Sequence, residues 1–254
     1  MIANKELYDA IFHRCSVRRF APAPLTAAQL ADIESFLAQI KSPAENVNVS
    51  VRLLAPTQVG RAITGPHYAA AYAGEGMPAQ TSAGYHLELL ALYLAAKGLG
   101  CCYSGMAKPH ESCRVHNGAG AAMVMVLGTP EGEASRSGIG AFKRKELGAI
   151  ATADVPKTIA EAVRLAPSGM NTQPWLLTGD KSAVELRYCP SGFAGLTSKM
   201  LSYPWGIEMG IALAHLHIAV RQMGMSCRFD FAAQPGQPLP KRQQLACRVY
   251  LEAV

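Results

Sequence analysis

Apolar residues recur along this chain with two periods, and the points where one gives way to the other mark out its elements. Residues 4 to 13 bring Leu7, Ile11 and Phe12 to one side of a short helix. Pro22 and Pro24 end the turn that follows, and Thr26 caps a helix over about 27 to 40 with Leu30, Ile33, Leu37 and Ile40 facing inward. In residues 42 to 56 the period changes, and the alternation of Val47, Val49 and Val51 predicts a strand. Residues 60 to 78 are rich in Gly and Ala and read as a strand with loops. Ser82 to Gly98 predicts a strong helix with Leu87, Leu90, Ala91 and Leu94 on one side, stopped by Gly98 and Gly100. A polar loop, a buried strand from Ala122 to Leu127, and a basic stretch ending FKRKELGAI at residues 142 to 150 complete this portion.

The remainder repeats the plan. A capped helix over about 156 to 166 leads into a Pro-Ser turn, then strands at 174 to 178 and 184 to 188. The long helix GIEMGIALAHLHIAVRQMG follows, ending at Gly224, and a last strand runs from Cys247 to Leu251. Residues 42 to 46 look like a worn copy of 166 to 171, and LELLALYLAAKGLG pairs with IALAHLHIAVRQMG. The expected fold is therefore α/β (α+β), a central mixed or antiparallel sheet flanked by helices, in two halves, 1–150 and 151–254, that form one unit.

Composition narrows the classes. With 254 residues and 50% hydrophobic content the chain can bury a large core. Its net charge of +6 suits anionic small molecules at least as well as nucleic acid, and basic and aromatic residues do not interleave as in single-strand binders. The seven cysteines fit no zinc spacing, so no metal site is expected and reduced thiols are the simpler account. The opening MIANKELYDAI reads against a signal peptide, and the longest apolar run, around 207 to 220, is interrupted by Glu208 and two His. A cytoplasmic protein without a membrane span is expected. No GxGxxG follows a strand, so no Rossmann domain is evident.

The chemistry concentrates in APSGMNTQPW, residues 166 to 175. Pro167 forbids a helical hydrogen bond, Gly169 permits left-handed backbone, and Ser168 and Asn171 bond locally, which makes a sharp turn rich in donors and acceptors. Read alone, this is a helix stop feeding a strand with Trp175 in the core. A second string, HRCSVRRF at residues 13 to 20, places Arg14, Arg18 and Arg19 close together; read alone, it is a solvated face or a nucleic-acid contact.

Together the two strings resemble the nitroreductase family of FMN-dependent oxidoreductases. Because the plan is duplicated within the chain, it is similar to the group in which two halves of a single chain mimic the usual homodimer, and each string occurs in one half only. The resemblance implies one composite FMN site per chain and a monomer. It implies that Arg14, Ser16 and Arg18 hold the FMN phosphate, which wants forked guanidinium donors and a hydroxyl, and that the backbone of Cys15 contacts the flavin. Arg144, or else Lys143 or Lys145, also faces the phosphate; a solvated face is the alternative for that run. Pro167, Ser168 and Gly169 line the ring slot, Asn171 bonds the pyrimidine edge, and Gln173 either does so or ties the turn to its neighbour. Ser104 and Gly105, in CCYSGM, direct backbone N–H groups at N5, or are an ordinary helix-to-loop turn.

In such proteins NAD(P)H is a transient donor, electrons pass through FMN to an acceptor such as a nitroaromatic or quinone, and no catalytic side chain is obligatory. His86, His215 and His217 read as core; His67, His110 and His116 read as loop residues able to line an opening. Residues 57 to 82 and 191 to 205 are expected to shape that opening, with Tyr72, Tyr203 and Trp205 either stacking on an acceptor or simply packing. An FMN carrier or sensor without turnover, and a non-redox binder of phosphorylated ligands, remain the other classes.

Overall fold

Gly84 and Gly210 decide where the two longest helices meet. The computed structural model describes residues 2–60, 62–190 and 205–254. Helix α1 (Asn4–Ile11) and α2 (Ala27–Leu37) precede α3 (Met77–Ala96), and α4 (Lys157–Arg164) precedes α5 (Trp205–Gln222). A Cβ on Gly84 would lie 2.1 Å from the Ile207 carbonyl oxygen, and one on Gly210 would lie 2.0 Å from that of Thr81. Only glycine lets the two backbones come this close. Both helices are apolar nearly all round and buried accordingly. Each ends on a left-handed glycine, Gly98 at φ +70° and Gly224 at φ +74°.

Two antiparallel sheets pack against this helix pair. The first contains β1 (Val49–Leu54), β3 (His67–Ala73), β4 (Gly100–Tyr103) and β7 (Ala119–Gly128) in the order β1-β3-β7-β4, with β6 (Val115–His116) also on β7. The second contains β8 (Trp175–Gly179), β9 (Ala183–Tyr188), β10 (Met225–Asp230) and β11 (Gln244–Ala253) in the order β10-β11-β9-β8. A pair formed by β2 (Val59–Gly60) and β5 (Lys108–Pro109) stands apart. The two orders are the same when traced along the chain. Two strands pair, a long helix follows, the third strand takes the far edge, and the fourth inserts between. The segment after residue 149 stitches the second sheet: Leu177 N–H donates to Ile150 O at 2.7 Å and Thr152 N–H to Leu177 O at 3.0 Å.

Several elements differ from the expectations. Helix α3 begins at Met77, not Ser82, because Pro78 lies in its first turn, where a missing N–H costs nothing. The loop expected after Gly100 is strand β4, only four residues long and directly after a helix stop, and β10 is a strand not among those expected although Met225, Cys227 and Phe229 alternate there with Ser226, Arg228 and Asp230. Thr26 does cap α2, its Oγ accepting from Gln29 N–H at 3.2 Å, but the helix ends at Leu37. The capped start expected for α4 is absent: Pro156 stands at the N-cap and its ring carries no hydrogen-bond acceptor. Strand β1 begins only at Val49, leaving Val47 outside it. No described helix is long and apolar enough to cross a membrane.

Candidate functional site

Helix α4 runs into the 166–175 turn with Leu165, Ala166 and Pro167 buried, and the backbone then becomes unusual. Met170, Asn171 and Gln173 all adopt left-handed φ, at 52°, 58° and 48°. Three such residues in four positions cost roughly 1 kcal/mol or more each and persist only when neighbours over-determine them. Local bonds hold part of the turn, since Ser168 Oγ accepts from Gln173 N–H at 2.8 Å and Ser168 O from Asn171 N–H at 3.0 Å. The basic run holds the rest. Arg144 Nη1 donates to Asn171 Oδ1 at 2.6 Å, Asn171 Nδ2 to Lys143 O at 2.7 Å, and Lys145 N–H to Gln173 Oε1 at 2.8 Å.

The Asn171 amide thus makes one bond at each end, which leaves one lone pair on Oδ1 and one proton on Nδ2. Gln173, 3% exposed, ties the turn to its neighbour, the second of its two readings. Trp175 is core, at 1% exposure. Below the turn, Gly169 N–H donates to Glu208 Oε1 at 2.8 Å. Burial raises this carboxyl to about 7, against the lowering effect of the Gly169 N–H.

Around Arg144 gather three more guanidinium groups. Its pKa is pushed down to about 10, first by burial and then by Arg14, Arg136 and Arg164, with Glu88 opposing. The Arg136 and Arg144 guanidiniums lie 4.5 and 5.5 Å from the centre of the Phe142 ring. Arg14 is 3% exposed, bonding Ser16 Oγ at 3.4 Å through Nη2. Among the described residues none of these four arginines forms an ion pair with a carboxylate, and the Nε of Arg14, Arg144 and Arg164 is buried without a hydrogen-bond partner. Arg14 is buried and the other three half-buried; like charges partly withdrawn from water with unsatisfied donors are costly alone, and an anion relieves both costs. Of the three candidates in the basic run, Arg144 is the one turned into this cluster; Lys145 Nζ donates to Gln173 O at 2.9 Å.

The Arg-rich string lies along β4. Ser16 bridges Cys101 in parallel fashion, and Val17 N–H donates to Cys101 O at 2.9 Å. Cys15 is half-buried and Arg18 exposed. Burial raises the Cys102 thiol, while Arg18, a hydrogen bond with Ser16, and Arg14 lower it, so the string's side chains converge there. Just past β4, Ser104 N–H donates to Val124 O at 2.9 Å. That bond occupies the Ser104 N–H, whereas its neighbour Gly105 is exposed.

A buried polar network braces the arrangement. Tyr103 of β4 donates to Glu88 Oε2 at 2.7 Å, Glu88 Oε1 meets His215 Nε2 at 2.9 Å, and His215 Nδ1 meets Ala162 O at 2.8 Å. A carbonyl only accepts, so Nδ1 carries a proton, and one further proton lies between Nε2 and Oε1. Glu88 and His215 are fully buried. The chain β4–α3–α5–α4 thereby joins the elements that carry the two strings.

Arg136, Arg164, Glu88 and Glu208 are not among the residues that the sequence alone singles out as candidates. The two carboxylates had an available signal, each standing alone in an apolar helix. Tyr72 is fully buried and donates to Cys113 O at 2.6 Å, and Trp205 stacks on Tyr188 at 4.5 Å, so both pack. Tyr203 and most of 191 to 205 lie outside the described residues. His67 is no loop residue lining an opening: it starts β3, and its Nε2 accepts from Leu25 N–H at 3.0 Å.

The family model described as "Putative TM nitroreductase" matches residues 6–220. Among solved structures, one described as a putative nitroreductase from Thermotoga maritima MSB8 is 20% identical, with a TM-score of 0.63 over 99% of this chain and 95% of its own. An FMN-dependent nitroreductase from Clostridium difficile R20291 is 12% identical, with a TM-score of 0.43 over 57% of this chain and 100% of its own. The NADPH:FMN oxidoreductase from Vibrio harveyi, solved with NAD+, is 14% identical, with a TM-score of 0.41 over 50% of this chain and 70% of its own. No curated protein matches the sequence. The chain has the nitroreductase fold and belongs to the putative TM nitroreductase family.

Proposed function

We propose that this protein is an FMN-dependent oxidoreductase that passes electrons from NAD(P)H to an electron-poor acceptor such as a nitroaromatic or quinone. The observation that carries the reading is the guanidinium cluster of Arg14, Arg136, Arg144 and Arg164, with its unpartnered buried Nε groups, joined through Arg144 and Asn171 to the Pro-Ser-Gly turn. The residues present fit the cofactor. Arg14 and Arg144, with Arg18 and the Ser16 hydroxyl, would hold the phosphate. Pro167, Ser168 and Gly169 would face the ring, and Cys15 and Gly105 would approach it through backbone. When bound, FMN supplies the hydride chemistry, and the protein's part is to bind, orient and exclude water.

The two halves are proposed to be a duplication. Their sheets share one strand order, and Asn46 in the worn string has φ 57° against 58° for Asn171. The first half keeps the arginine string and the second the intact turn, so one FMN per monomeric chain follows. Seven free thiols accord with a reducing cytoplasm.

After FMN incubation and desalting, the absorbance spectrum should show about one flavin per chain, as the half-site arithmetic requires, bleached by anaerobic NADH or NADPH. A band that persists with either donor points to a carrier or sensor, and no band to a non-redox binder of phosphorylated ligands. Ser168→Tyr should abolish the band by filling the slot, whereas Ser42→Tyr in the worn copy should leave it intact; equal loss sinks the single-site claim. Arg14→Ala should weaken FMN binding about 30- to 100-fold by fluorescence titration, the loss of a desolvated charge-assisted contact.

A further inference from the structure

Glu208 is a carboxyl in the first turns of α5 whose presence the flavin reading does not explain. It is 5% exposed, and its hydrogen-bond partner among the described residues is the Gly169 N–H, at 2.8 Å. An apolar residue would fill this place without the desolvation penalty of a carboxyl. The neighbouring Gly206 and Gly210 are forced by close approach to α3, but nothing in the helix crossing asks for an acid between them. The carboxyl is instead directed at one backbone donor, in the turn that carries three left-handed residues.

We propose that Glu208 is a positioning residue for the Pro-Ser-Gly turn, its carboxylate competing with the bound ligand for the Gly169 N–H. This rests on the FMN reading for the identity of the ligand, but not for the hold on the turn. Ionised, Glu208 accepts a charge-assisted bond and keeps the donor; protonated, it accepts weakly and releases it.

The elements packed against α5 carry Tyr85, His86 and Glu88 on α3, Arg164 on α4 and Tyr188 on β9, with Arg144 and Lys145 in the run held to the turn. The Glu208 carboxyl is displaced upward by burial, the Gly169 N–H opposing, and stands at about 7. The sign is therefore determined. Below that value the carboxyl is neutral and the ligand has the donor; as pH rises through it the carboxylate forms and ligand affinity falls. By linkage, ligand binding takes up a fraction of a proton near neutral pH.

The test compares wild type with Glu208→Gln, whose amide oxygen still accepts from Gly169 but cannot ionise. FMN dissociation constants are measured for both between pH 5.5 and 8.5. The FMN phosphate titrates in this range too, and taking the ratio of the two proteins removes it. The wild-type to variant ratio should be close to one at pH 5.5 and rise about fivefold by pH 8.5, the usual difference between charged and neutral acceptors. A ratio constant with pH overturns the proposal.

Hydrogen exchange on the apoprotein gives a second, ligand-free reading. Amides in 168–173 should exchange about fivefold slower in wild type than in the variant at pH 8.5, for the same reason, and equally at pH 5.5. Equal exchange at both pH values overturns the proposal even if FMN binds. The expected exchange difference in a protein that binds no FMN upholds the hold on the turn and overturns the flavin reading.

Discussion

Gly210→Val leaves the protein unfolded or lowers its melting temperature by about 10 °C or more. The new Cβ would lie 2.0 Å from Thr81 O and 2.6 Å from Tyr85 N, both backbone atoms of α3 held in their own helical ladder. Overpacking against flexible side chains costs about 1–3 kcal/mol. Here the neighbour is main chain, so the helices must separate along the centre of the core, and a loss of at least about 4 kcal/mol follows. For a chain of this size each kcal/mol corresponds to roughly 2–4 °C. Gly98→Ala is the control: its φ of +70° strains an alanine, but nothing lies within 4 Å of the new methyl, and the cost should stay near 1–2 kcal/mol. Differential scanning calorimetry distinguishes the two; comparable losses would mean that the crossing is not held by its glycines.

Glu88→Leu is the second large effect, a loss of about 3–5 kcal/mol in urea unfolding. It leaves His215 Nε2 and the Tyr103 hydroxyl without partners in a fully buried place. Glu88→Gln can still accept from Tyr103 and donate to His215, and should lose less than about 2 kcal/mol. If the two variants were equally destabilised, charge rather than hydrogen-bond satisfaction would be what holds β4 to α4. The network also matters to the site, because Glu88 is the acidic side chain opposing the guanidiniums around Arg144. Its removal should lower the Arg144 pKa further, a direction readable by NMR titration of the guanidinium.

Much of this fold is legible in the residue pattern. The alternating valines near 49, the apolar run from Leu87 to Leu94 and the glycine stops at 98 and 224 all predict elements that the structure contains. Of the strands outside the expected set, β4 is four residues long and nearly uniformly apolar, so no period declares itself, whereas β10 does alternate, Met225, Cys227 and Phe229 against Ser226, Arg228 and Asp230, and was legible in principle. The start of α3 differs from expectation for another reason. Pro78 is a breaker in a helix interior and a good first-turn residue, and only the surrounding backbone says which applies.

The candidate site divides along the same line. The sequence by itself determined the two strings, their family and the residue types able to meet an anion and a flat ring, because those depend on local order: a Pro-Ser-Gly turn after an apolar helix, three arginines within a few positions. Tertiary structure alone decided which donors remain available. Ser104 N–H is taken by Val124 and the Asn171 amide by Lys143 and Arg144, while Arg136 and Arg164 join Arg14 from distant parts of the chain. A hydrogen bond or a shared field between residues far apart in sequence leaves no periodic trace, since any partner of suitable chemistry would satisfy the local pattern equally well. The packing of α3 on α5, which brings those segments together, is what makes the choice.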